Sequence, residues 1–114
     1  MIVTTTPFVA GHRVTESKGQ AFGLVVRSRG LAGNISAGLL SLIGGEIREY
    51  TELLEDTRRQ ALDRLVANAT LMGANAVISM RFDSSELNNS MSEIVAYGTA
   101  VVIEPDANAP QATE

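Results

Sequence analysis

A two-layer α/β (α+β) sandwich is the fold class this sequence predicts: a mainly antiparallel β-sheet with one long helix and one short Gly-rich helix. Three observations predict it. From Tyr50 to Met72, at about 100° per residue, Leu54, Arg58, Ala61, Leu62, Leu65, Ala69 and Met72 fall on one stripe. Glu55, Asp56, Arg59, Gln60, Asp63 and Arg64 lie largely outside it, as in an amphipathic helix resting on another layer. Gly73 then offers a C-cap free to adopt positive φ, and Ala76 to Phe82 follows at once with strand composition. Finally, the run from Met91 or Ser92 to Ile103 is the longest strand candidate in the chain.

The remaining elements follow in order. Ile2 to Thr5 is β-branched and reads as a short strand, stopped by Pro7, which cannot donate a ladder hydrogen bond. Gly11 marks a turn. His12 to Glu16 and Gln20 to Ser28 read as two parts of one hairpin arm, with a bend or bulge at Lys18-Gly19. Between Gly30 and Gly45, the spacing of Leu31, Ile35, Leu39, Leu42 and Ile43 predicts a short helix capped by Asn34 and stopped by Gly44-Gly45. Gly38 inside it costs about 0.5–1 kcal/mol relative to alanine, which points to a close neighbour. Asp83 to Ser90 reads as a polar turn, and Pro105 closes the last strand. Residues 1–104 thus form a single domain, and 105–114, with almost nothing to bury, reads as a disordered tail.

Composition narrows the function classes. The 114 residues carry 9 basic and 13 acidic side chains, interspersed, for a net charge of −4. That balance gives no electrostatic reason to expect nucleic acid or an anionic membrane as partner. With two Tyr, three Phe and no Trp there is no aromatic platform for bases. The absence of cysteine excludes disulfides, thiolate metal sites and cysteine nucleophiles. No signal peptide is visible at the N-terminus, and no window approaches the ~20 apolar residues of a membrane span, so a soluble cytoplasmic protein is expected.

The strands also carry an expectation about assembly. A sheet covered by one helix should alternate apolar inward and polar outward. Here Phe22, Leu24 and Val26 oppose Ala21, Gly23 and Val25, and Val95, Tyr97, Val101 and Ile103 oppose Ile94, Ala96, Ala100 and Val102. Both faces are apolar, so the second must be covered either by the Gly30 to Gly45 segment or by another copy; one short glycine-rich helix covers too little of strands this long, which predicts homo-oligomerisation through sheet faces or edges.

Thr5-Thr6-Pro7, Gly44-Gly45 followed by Tyr50, the helix series Leu54, Arg58, Ala61 and Leu65, Gly73-Ala74-Asn75-Ala76-Val77, and Gly98-Thr99-Ala100-Val101 together resemble the YbjQ-like proteins. The resemblance runs from Ile2 to about Ile103. That family is functionally uncharacterised and labelled a putative heavy-metal-binding domain. The resemblance implies a small dodecin-like α/β sandwich assembled as a ring-shaped homopentamer. Thr57 stands where the family usually has alanine, and Val25 to Gly30 replaces a stretch that typical members fill with glycine and an acidic residue.

Candidate sites are few. Soft metals want thiolate, thioether or imidazole, and the chain offers one His and four scattered Met, so no metal ligand is assigned. The acidic run Asp83 to Glu86 holds a hard cation only if other oxygens complete the shell. No catalytic constellation or cofactor motif is present: no triad can be built on His12, and no glycine group has the spacing of a nucleotide-binding loop. Arg58 stands out because it interrupts the apolar stripe and matches an arginine of the family. One reading pairs it with Asp83, Glu104 or a neighbouring copy; another makes it, with Tyr50, Thr5 and Thr6, the lining of a pocket for a small anionic ligand. The expected protein is therefore a homo-oligomeric binding module, with a ligand-free structural scaffold and a metal-binding protein as alternatives.

Overall fold

The computed structural model describes residues 1–28, 48–88 and 91–111. The strands are β1 (Ile2–Val3), β2 (His12–Ser28), β3 (Ala76–Asn88) and β4 (Met91–Pro105), and the helix is α1 (Arg48–Leu71). They form one four-stranded sheet in the order β1-β3-β4-β2. β1 runs parallel to β3, while β3–β4 and β2–β4 are antiparallel, giving the mainly antiparallel α+β sheet expected. The short helix expected around Asn34 to Ile43 lies outside the described residues.

The end of α1 forms as its sequence requires. Gly73 has φ +89°, its N–H donates to Thr70 O, and the Ala74 N–H donates to Ala69 O. These two bonds make a Schellman cap, which turns the chain directly into β3. Asn75 secures the joint from the other side. Its Nδ2 donates to Ile103 O at 3.0 Å and its Oδ1 accepts from Ile103 N at 2.8 Å, extending the ladder by a side chain.

α1 buries Thr57, Ala61, Leu65 and Ala69, spaced four apart, against Ala21 and Val25 of β2 and Ala96 and Ala100 of β4. Small residues allow a close approach. A Cβ at Gly23 would stand 2.1 Å from Ala61 O and 2.3 Å from Leu65 N, so helix backbone meets strand backbone there. The buried stripe is therefore rotated from the expected one: Leu54 is 42% exposed and Arg58 is exposed, while Thr57 is 2% exposed. The Thr57 hydroxyl donates to Leu53 O at 2.8 Å, which lets a polar residue occupy the interior. The rotation follows from where the helix lies, over β2 and β4 and with little contact to β3.

β2 is continuous from His12 to Ser28, with register shifts between Val14 and Glu16 and between Ser17 and Gly19, so the bulge expected at Lys18-Gly19 is present. β3 departs from expectation. The stretch expected as a turn continues as strand to Asn88, with Asp83 opposite Val95, Ser84 opposite Ile94 and Ser85 opposite Glu93. Cross-strand pairing with β4 outweighs the turn preference of its Asp, Ser and Asn residues. Ser79, at φ 54°, sits in a second irregularity of β3; its N–H donates to Thr6 O, and that of Met80 donates to Thr4 O. Residues 106–111, expected within a disordered tail, are tied to the turn before β2. Gly11 N donates to Pro110 O at 2.7 Å and Asp106 N to Gly11 O at 2.9 Å.

Across the sheet from α1, Val9 covers one end, over Ala76, Val101 and Ile103. Farther along that face Phe22, Leu24, Val26 and Tyr97 stay 50%, 44%, 47% and 37% exposed. Phe22 faces Tyr97 and Leu24 faces Val95 across the ladder, so the patch is contiguous. Among the described residues no helix is long and apolar enough to cross a membrane.

Candidate functional site

Because α1 favours β2 and β4, a groove opens between its N-terminal half and the far end of the β3–β4 hairpin. Its volume is about 790 Å³, and its lining includes Leu54, Arg58, Phe82, Ser84, Glu86 and Ile94. The pleat explains the set: Phe82, Ser84 and Glu86 alternate onto the helix side of β3, opposite Ala96, Ile94 and Ser92 of β4. Thr51 and Glu55 also lie on the helix wall.

Arg58 is the feature with chemistry. Its guanidinium carbon stands 5.4 Å from the centre of the Phe82 ring, a cation–π contact. The expected ion pairs with Asp83 and Glu104 do not form. Glu104 pairs instead with Arg13, and the Asp83 carboxylate accepts from Ser84 N at 2.9 Å. Among the described residues no carboxylate lies within ion-pair distance of Arg58, so its planar fork of donors faces the groove without an acceptor.

Of the other expected site residues, Thr5 and Thr6 lie away from the groove. Tyr50 lies in the first turn of α1, and its side chain lies outside the described residues. Thr5 and Thr6 sit in the loop after β1 and do not line the groove. Thr6 Oγ1 donates to Phe8 O, Thr6 O accepts from Ser79, and Thr5 O accepts from Arg81 at 2.9 Å, so this loop serves the β3 irregularity.

Phe82 and Ile94 are not among the expected site residues, and Ser84 and Glu86 enter the expectation only within the acidic run. The alternation of Phe82, Ser84 and Glu86 was a usable signal that the strand continued past Phe82. No local pattern, however, links Phe82 to Arg58 on another element.

Metal chemistry fits the described residues poorly. Among them there is no group of three or more His, Cys, Asp and Glu able to hold an ion. His12 Nδ1 is 2.7 Å from Ala10 O, and Met72 and Met80 pack against the helix-side core. The acidic run is strand, so Asp83 and Glu86 project to opposite faces and cannot share a cation.

The family model YbjQ_1, described as "Putative heavy-metal-binding", matches residues 1–104. The chain belongs to the YbjQ family. It is 65% identical to a UPF0145 protein of Bradyrhizobium sp. over 92% of this chain and 95% of that protein. A UPF0145 protein of the archaeon Methanoregula boonei is 58% identical over 96% of this chain and 91% of its own length. Among solved structures, a protein of unknown function of the DUF74 family from Pediococcus pentosaceus aligns with a TM-score of 0.57 at 16% identity. That alignment covers 91% of this chain and 98% of the other, and shows a shared fold. The YbjQ description names heavy metals, whereas the donor set here offers them no clustered ligands among the described residues.

Proposed function

We propose that this YbjQ family chain is the subunit of a homo-oligomeric binding module, and that the α1/β3–β4 groove holds a small ligand through a carboxylate or similar acceptor. The observation that carries the reading is Arg58: a guanidinium positioned over Phe82 in a groove of about 790 Å³, with no ion-pair partner among the described residues. An arginine fork in a partly apolar recess is suited to bidentate recognition of a planar acceptor. The exposed ladder of Phe22, Leu24, Val26 and Tyr97 supports assembly with further copies, since a contiguous apolar face of this kind is the usual mark of an interaction surface.

Native mass spectrometry of the full chain, purified under gentle conditions and incubated with a cell-extract metabolite fraction, tests the reading. A retained organic mass on the wild-type oligomer, absent from Arg58→Gln, is the expected result. An oligomer that retains nothing, with identical spectra for both proteins, favours the second reading. That alternative is a structural scaffold without a ligand, and the apolar outer face is the observation in its favour. Stoichiometric metal on the oligomer would instead support the metal-binding reading of the family description.

A further inference from the structure

We infer that the groove selects a small monocarboxylate with an apolar body, against phosphates and other polyanions. The inference rests on the groove being the ligand site and names the class of molecule it takes. Two features of the lining carry it. Among the described lining residues Arg58 is the one cation, and Glu55 on the helix wall beside it is acidic. One negative charge on the ligand can be met by the guanidinium; a second has no cationic partner among the described lining residues and meets the Glu55 carboxylate on the helix wall. The rest of the recess is apolar where it meets Arg58: the Phe82 ring lies under the guanidinium, with Leu54 and Ile94 in the same lining. An aliphatic or aromatic body fits against these side chains while its carboxylate lies in the plane of the fork.

The groove serines refine the match. Ser84 and Ser92 lie in the lining beside Phe82 and Ile94, and their hydroxyls can donate to a second carboxylate oxygen.

The test uses the full-length protein labelled for amide NMR and four probes: 3-phenylpropionate, phenylsuccinate, 3-phenylpropylamine and inorganic phosphate. 3-Phenylpropionate is expected to shift the amides of Phe82 to Glu86 and Ser92 to Ile94. It should bind on the order of ten-fold tighter than phenylsuccinate or the amine, while phosphate leaves these amides unmoved. Arg58→Gln should abolish the ligand-induced shifts and Arg58→Lys should weaken them, with ligand-free spectra changed only around Arg58 and the Phe82 ring it contacts. Tighter binding of phenylsuccinate or phosphate overturns the ligand class while leaving the groove as the site. Tighter binding of the amine means the acidic side chains govern, and likewise overturns the class. If none of the four moves the groove amides, the groove is not the ligand site and the proposed function falls with the inference.

Discussion

Gly23 sets the separation between the two layers. With Ala61 O and Leu65 N at 2.1 and 2.3 Å from any added Cβ, Gly23→Ala must lift α1 from β2. A loss of about 1–3 kcal/mol is expected, since backbone cannot yield as a flexible side chain can, and urea unfolding will measure it. Ser79 is the complementary case, a residue with a side chain held at φ 54°. Ser79→Gly should stabilise by up to about 1 kcal/mol and Ser79→Val should destabilise, because only glycine adopts that region without steric cost; thermal unfolding of the pair gives the sign. Asn75→Ala removes both side-chain bonds to Ile103 and should cost about 1–2 kcal/mol by the same assay. Of these three positions none was singled out by type alone. Gly23 lay in an apolar run with no turn around it, and its role depends on α1, some 40 residues away in sequence.

At the scale of elements, α1 and its exit were the most legible, because a 3.6-residue period over six turns and a terminal glycine are both local signals. The rotation of its buried face was not. Arg58 and Thr57 exchange places relative to the expected stripe, since a Thr can satisfy its hydroxyl on Leu53 O whereas an Arg gains from the open groove. The arm beyond Phe82 was misread as a turn for a related reason: Ser, Asp and Asn announce turns locally, yet pairing with β4 holds them extended. One protective device also emerges only in three dimensions. β2 is an edge strand, and its Phe22 and Leu24 carbonyls accept from Asn68 Nδ2 and Arg64 of α1, each at 2.6 Å. Side-chain caps of this kind deny the edge to an incoming strand. The double variant Asn68→Ala, Arg64→Ala should therefore lose about 1–2 kcal/mol and show increased thioflavin-positive aggregation on mild heating, while the wild type stays clear.

For the whole molecule, the sheet has one face under α1, and on the other the described residues leave Phe22, Leu24, Val26 and Tyr97 exposed. Among the described residues Val9 shields the end near Ile103, leaving the Phe22–Tyr97 pair and Leu24 exposed. That imbalance was readable directly from the strands, whose two faces are both apolar, and it survives in the folded chain. In the assembly proposed above, the apolar face is the surface expected to meet another copy, because side chains of α1 cap the β2 edge at Phe22 and Leu24. Leu24→Glu, which places a charge in the middle of the patch, should shift an oligomer toward monomer without unfolding it; circular dichroism on the same sample checks the fold. The most direct measurement is sedimentation equilibrium of the full wild-type chain at micromolar concentration. A single closed oligomer, a pentamer if the family resemblance extends to assembly, is the predicted result; a monomer with its apolar face open to water would contradict it.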